Sequence, residues 1–312
     1  MCRLLAYSAK VPRAVDELLT PEEFDRFRKL SHLHRDGWGM SWVAPPDEAR
    51  APGAKAGAPA GEPGAHAGGT TGRREGRLQA RRSVLPAYED PAFEELAGRR
   101  LGEAGFVHLR WATSGLAVAE ANTHPFLMGG WAFAHQGSIP SPDRLESLLS
   151  PVWLAARRGT TDSEAYFLYL LQCFEQEGNL IGGIRRALAD IRGACGPASL
   201  NAVLLSPASL VVVHGSTGLA PPREDLLAAV TRPEDLPADH LEGYFGLRYR
   251  QVNGEIVIAS SGLAREGWED VPADSIVHVD LVRRALSFHS FDGGAHSFES
   301  SAAVVGGAIP GP

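Results

Sequence analysis

Apolar positions recur along the chain at two spacings. Alternation with a period of two marks strands over Arg3 to Ser8, Trp38 to Val43, Ala104 to Trp111 and Trp131 to His135. The same signal returns at Ser199 to Leu205, Leu210 to His214, Tyr244 to Gln251, Glu255 to Ser260, Ser275 to Asp280 and Ala285 to His289. Within Ala104 to Trp111, this period puts Phe106, His108 and Arg110 on one face and Val107, Leu109 and Trp111 on the other. Helical spacing appears in Phe24, Phe27, Leu30 and Leu33, behind a Thr20-Pro21-Glu22-Glu23 start, and in a short segment from Pro91 to Leu101. Phe167, Leu168, Leu171 and Phe174 follow Thr161-Asp162-Ser163-Glu164, where Thr161 and Glu164 fit a capping box; Asn179 to Ile191 reads as a second helix. Strands thus gather toward both ends with paired helices between them. That excludes a regular alternating βα pattern and predicts an α+β fold with mainly antiparallel sheets.

One stretch fits neither period. Residues 51–72 are almost entirely Ala, Gly and Pro, too apolar-poor to offset their chain entropy, so residues 45–80 are expected to be a disordered insertion. The basic run Arg73 to Arg82 could extend that loop or lead into a strand near Ser83 to Leu85. The expected organisation is one domain over 2–290 and a Gly-rich flexible tail over 291–312. A net charge of -7 over 312 residues gives no basic stripe for nucleic acid. No apolar run is long enough to span a membrane, which points to a soluble cytoplasmic chain. Cys2, Cys173 and Cys195 form neither a disulfide framework nor a metal motif, and no glycine-rich phosphate loop stands between a strand and a helix. No metal and no cofactor are expected.

Cys2 carries the candidate chemistry. Initiator methionine is normally removed before a small residue such as cysteine, leaving a thiol and a free α-amine on one residue. The amine titrates near pH ~8 and the thiol near ~8.5, so the first can take the proton of the second. The plain alternative is that Cys2 opens a buried strand, as free cysteines often do. Arg110 alone could be a surface ion pair, and Asp162 alone a first-turn carboxylate favoured by the helix dipole. Gln136-Gly137 could be an oxyanion hole or only a strand-ending turn.

Taken together, Cys2, Asp36-Gly37-x-Gly39, His108-Leu109-Arg110-Trp111-Ala112-Thr113, Thr123-His124-Pro125, Ala134-His135-x-Gly137 and Thr161-Asp162-Ser163-Glu164 stand in the order found in class II glutamine amidotransferases. The chain resembles that family by motif from residue 2 to about 175, and by strand pattern to about 280. The Asp36-Gly37-Trp38-Gly39 form is similar to the short stand-alone branch that includes the ergothioneine-pathway γ-glutamyl hydrolase.

The resemblance implies a four-layer αββα N-terminal-nucleophile hydrolase sandwich. It makes Cys2 the nucleophile that forms a thioester with a γ-glutamyl group, and Gln136 and Gly137 the oxyanion donors. Arg110, Trp111, Thr113 and Asp162 become the substrate-binding residues, with Arg110 on the α-carboxylate and Asp162 on the α-ammonium. Gln136 departs from the family's asparagine, and its side chain is one methylene longer. Three readings stay open: a stand-alone amidohydrolase acting on a small γ-glutamyl metabolite, a glutaminase subunit feeding ammonia to a separate synthase chain, and a γ-glutamyl-binding paralogue with impaired catalysis. The first is favoured, because no synthase domain is expected after residue 280. The partners expected are the γ-glutamyl substrate and either a synthase or a second copy of the chain.

Overall fold

In a computed structural model of the chain, residues 2–45, 76–113, 115–216, 218–232 and 236–293 are described. Most of the expected insertion and most of the expected tail lie outside these residues. The strands form two antiparallel sheets. The first contains β1 (Arg3–Arg13), β2 (Trp38–Ala44), β3 (Arg77–Ser83), β4 (Gly102–Leu109), β9 (Leu247–Val252), β10 (Glu255–Ser260) and β11 (Glu269–Asp270). Their spatial order is β11-β9-β10-β1-β4-β2-β3, which puts β1 at the centre. The second contains β5 (Phe126–Met128), β6 (Trp131–Gln136), β7 (Asn201–Leu205), β8 (Ser209–His214), β12 (Ser275–Asp280) and β13 (Ala285–Ser290), in the order β13-β12-β8-β7-β6-β5.

Alternation along each strand builds three apolar layers. Leu4 and Ala6 of β1 and Phe106 of β4 meet Ala134 of β6 and Val203 of β7 between the sheets. Leu5, Tyr7, Val107 and Leu109 face outward beneath Phe27 of α1 (Pro21–Lys29) and Phe93 of α2 (Pro91–Ala97). On the other side, Phe133, Leu204 and Val211 are covered by α5 (Asp162–Glu177) and α6 (Leu180–Cys195), with Leu145 of α3 (Pro142–Glu146) and Trp153 of α4 (Pro151–Ala155) in the same layer. Phe133 stacks on Phe167 of α5 with ring centroids 5.0 Å apart. Each such fully buried side chain contributes roughly 1.5–3 kcal/mol, so packing rather than helix propensity fixes these helices to the sheets. The result is the expected αββα sandwich. By the same alternation Cys2, just before β1, falls on the inter-sheet face, and Arg3 on the outer one.

Three local expectations differ from the structure. Residues 77–80, expected to be disordered, belong to β3, whose Arg77 to Ser83 pair with Ala44 to Trp38 of β2. A strand this basic lacks the usual β-branched signal, and it forms because β2 offers it a partner at the sheet edge. The strand expected from Tyr244 begins only at Leu247, leaving Tyr244 and Phe245 in a loop whose carbonyls are used elsewhere. Thr161 does cap α5 by accepting from the Glu164 amide at 3.2 Å. Glu164, however, does not complete a box. Its carboxylate accepts from the amides of Arg158 at 2.9 Å and Gly159 at 2.6 Å, tying down the preceding loop instead.

Gly39 of β2 packs directly against the turn that leads into β5. A Cβ there would stand 2.1 Å from the His124 carbonyl oxygen and 2.7 Å from the Pro125 ring. Both are fixed parts of the 123–125 turn, so the strand itself would have to move. Gly39→Ala is expected to cost at least about 2 kcal/mol, seen as a thermal midpoint lowered by several degrees. An unchanged midpoint would show that β2 and this turn are not packed rigidly together.

Candidate active site

The site is assembled where β1, β4 and β6 end together. Cys2 is only 6% exposed, and its thiol donates to the Trp111 carbonyl at 3.8 Å. Burial pushes the thiol pKa up, yet the field of the nearby His108, the charge of the chain's amino terminus and the Trp111 hydrogen bond outweigh it and bring the pKa down to about 6. His108 had appeared in the motif without an assigned role. Its Nε2 lies 3.3 Å from the His135 carbonyl oxygen, which can only accept, so Nε2 carries the proton in neutral His108. Nδ1 is then the basic nitrogen of the ring. The signal was present in the alternation of β4, which places His108 on the inter-sheet face two residues before Arg110.

Arg110 is 2% exposed, and no carboxylate forms an ion pair with it among the described residues. Its Nη1 donates to the Asp36 carbonyl at 3.2 Å and its Nη2 to the Ala117 carbonyl at 3.3 Å. Burial lowers its pKa, while the charges of Cys2 and Asp36 raise it, and a guanidinium stays ionised throughout. Asp36-Gly37 holds this corner of the backbone. The Asp36 carboxylate accepts from the Ala112 amide at 2.7 Å, the Asp36 amide donates to the Arg110 carbonyl at 3.0 Å, and the Arg110 amide donates to Gly37 at 2.8 Å. Gly37 adopts φ +123°, a conformation that only glycine takes without strain.

On the facing sheet, Gln136 is fully buried, and its Nε2 donates to the Tyr244 carbonyl at 3.3 Å. Its register partner Asn201 donates in parallel to Phe245 at 2.7 Å. The extra methylene of Gln136 thus lets it reach the 244–245 loop, with one of its two amide hydrogens still uncommitted. Gly137 has no room for a side chain, because a Cβ would lie 2.2 Å from the Ser199 carbonyl oxygen. Asp162 reaches the same turn: Oδ2 accepts from the Ile139 amide at 2.7 Å and Oδ1 from the Ser163 amide at 2.8 Å. His135 is locked between the Ser163 hydroxyl at 2.9 Å and the Ser199 carbonyl at 2.7 Å, and burial lowers its pKa. Cys2, Arg110 and Trp111 therefore meet at one corner, with Gln136 joined to it through Tyr244 and Asp162 anchoring the turn after Gly137. Thr113 is exposed on the loop beyond β4.

Residues 103–280 match the family model described as glutamine amidotransferases class-II, a span that includes Arg110, Thr113, Gln136, Gly137 and Asp162. The chain belongs to the class II glutamine amidotransferases. Among similar proteins is the probable glutamine amidotransferase DUG3 of Saccharomyces cerevisiae, 23% identical over 57% of this chain and 47% of that one. The chain therefore spans about half the length of that relative. A glutamine aminotransferase class-II domain protein from Silicibacter pomeroyi shares the fold at a TM-score of 0.54 and 17% identity, covering 93% of this chain and 99% of that one. An allosteric regulatory enzyme of purine biosynthesis shares it at 0.58 and 14%, covering 93% of this chain and 49% of the other. The sequence match gives the family, and the structural likenesses give the fold. Among the described residues no group of His, Cys, Asp and Glu could hold a metal ion, and no helix is long and apolar enough to cross a membrane.

Arg3 is the residue in this site that the sequence did not single out. It is fully buried beside Cys2 and makes no ion pair with a carboxylate among the described residues. Its Nε donates to His34 at 3.1 Å, and its Nη1 to the Tyr244 carbonyl at 3.0 Å and the Ser261 hydroxyl at 2.7 Å. The guanidinium also lies 3.8 Å above the Tyr244 ring. Residues 3, 34, 244 and 261 are far apart in sequence, so no local pattern announces the cluster.

Proposed function

We propose that the protein is a stand-alone amidohydrolase that cleaves a γ-glutamyl amide, glutamine or a γ-glutamylated small metabolite, through a thioester on Cys2. The observation that carries the reading is a low-pKa thiol at the end of the central strand, facing a buried Arg110 that has no ion-paired carboxylate among the described residues. With Met1 removed, the thiolate of Cys2 attacks the γ-carbonyl, and the α-amine keeps the thiol proton. The tetrahedral oxyanion is met by the Gly137 N–H and by the second amide hydrogen of Gln136. Collapse breaks the C–N bond, and the leaving amine takes the proton from the α-ammonium. Water then cleaves the thioester, releasing glutamate and restoring the thiol. Arg110 receives the α-carboxylate, Asp162 the α-ammonium through lone pairs left by its two amide contacts, and Trp111 and Thr113 border the glutamyl group.

Incubation with glutamine and with γ-glutamyl anilide is expected to release glutamate. No release from either substrate by a chain shown by mass to begin at Cys2 would overturn the proposal. The pH dependence gives a second test. A thiol pKa of about 6 means that the reactive thiolate is present above that value and lost below it. The acid limb of kcat/KM should therefore have its midpoint near pH 6, and alkylation of Cys2 by iodoacetamide should follow the same curve. An alkylation midpoint near the ordinary thiol value of ~8.5 would show that His108 does not act on the thiol.

A further inference from the structure

A cavity of about 750 Å³ lies on the outer face of the first sheet, away from Cys2, Arg110, Gln136 and Asp162. It opens between α1 with the turn that follows it and residues 229–230, 236–242 and 262–265. Its size falls within the range of small-molecule sites, roughly 300–1,000 Å³. Its floor is apolar, with Leu30, Leu236 and Leu263 buried and Leu33 and Val230 half-buried.

The charges around the cavity do not balance. Lys29 pairs with Asp25 at 2.7 Å. Asp239 is matched by Arg248 at 3.1 Å and by the Gly262 amide at 3.1 Å. Arg26 and Arg265 carry no ion pair or side-chain hydrogen bond among the described residues, and only Glu242 opposes them. An apolar floor beneath two unmatched guanidinium groups suits an organic anion with an apolar body.

The wall of the cavity is also the support of the nucleophile. Leu33 and Gly262 line it, and their chain neighbours His34 and Ser261 both accept hydrogen bonds from Arg3. Arg3 follows Cys2 directly and shares the Tyr244 carbonyl with Gln136. Its remaining nitrogen, Nη2, is buried and has no hydrogen-bond partner among the described residues, so no further bond among them holds the guanidinium against a shift of either neighbour. We propose that this cavity is a second small-molecule site, for an organic anion with an apolar body, whose occupancy is transmitted to Cys2 through Arg3. The binding half of this proposal is independent of the γ-glutamyl reading.

The probe is 1-anilinonaphthalene-8-sulfonate, titrated by fluorescence into the full chain, with the neutral dye N-phenyl-1-naphthylamine as the uncharged control. The sulfonate should bind the wild type and Cys2→Ala equally. The double variant Arg26→Glu, Arg265→Glu should weaken it at least tenfold while changing the neutral dye less than twofold. Equal loss of both dyes, or sulfonate affinity kept within twofold, would overturn the anion site. Saturating sulfonate should change the rate of Cys2 alkylation by iodoacetamide at least threefold in the wild type and leave it unchanged in the double variant. An unchanged wild-type rate would overturn the link through Arg3. Glutamate release is not part of either readout, so failure of the γ-glutamyl reading would show separately.

Discussion

Cys2→Ala is expected to reduce glutamate release from glutamine or a γ-glutamyl anilide by at least about a thousandfold, because both chemical steps of the proposed mechanism run through its sulfur. Removing a nucleophile commonly leaves only the rate enhancement due to binding and the oxyanion site. The fold should survive. Cys2 is 6% exposed, and the hydrogen bond of its sulfur to the Trp111 carbonyl is long at 3.8 Å. Losing it should cost about 1 kcal/mol, a midpoint shift of a few degrees. Rate and midpoint measured on the same preparation separate the outcomes. Turnover retained by Cys2→Ala would sink the thioester mechanism, whereas turnover lost together with the fold would leave Cys2 a structural residue.

How much of this site could be read in advance depended on whether the relevant contacts follow a local period. The alternation of β4 placed Phe106 and His108 on one face and Leu109 on the other, and the sandwich has Phe106 between the sheets, His108 against the His135 carbonyl of the facing sheet and Leu109 outside. Two-residue periodicity is a property of the strand alone, so it survives into the tertiary structure. Glu164 shows the limit of this. Spacing from Thr161 predicted a cap, but the amides of Arg158 and Gly159 offered its carboxylate two bonds from a loop whose path the spacing does not encode. β3 was illegible for a related reason: its pairing is decided by β2, more than thirty residues earlier in the chain. Gln136 combines both cases. Its replacement of the family's asparagine was visible, but its use of the extra methylene to reach Tyr244 required knowing that the 244–245 loop crosses the end of β6.

Arg110→Ala should have the second largest effect, and it should appear in substrate affinity. The guanidinium is held by two carbonyls, of Asp36 and Ala117, and is 2% exposed. Apart from the fields of Cys2 and Asp36, its desolvated charge has no ion-paired carboxylate among the described residues until an anion arrives. A buried charge pair truncated on one side loses about 2–5 kcal/mol, so kcat/KM should fall on the order of a hundred- to a thousandfold, mainly through KM. Arg110→Lys should recover only part of this, because an ammonium cannot span both carboxylate oxygens. A loss arising from disturbed backbone alone would act on every substrate alike. The decisive comparison is therefore 4-aminobutyramide, which keeps the amide and the amine but lacks the α-carboxylate. If Arg110 binds that carboxylate, wild type and Arg110→Ala should cleave this truncated amide at similar, low rates. If the variant is slower on it by the same factor as on glutamine, Arg110 serves the Asp36 corner and the carboxylate is held elsewhere.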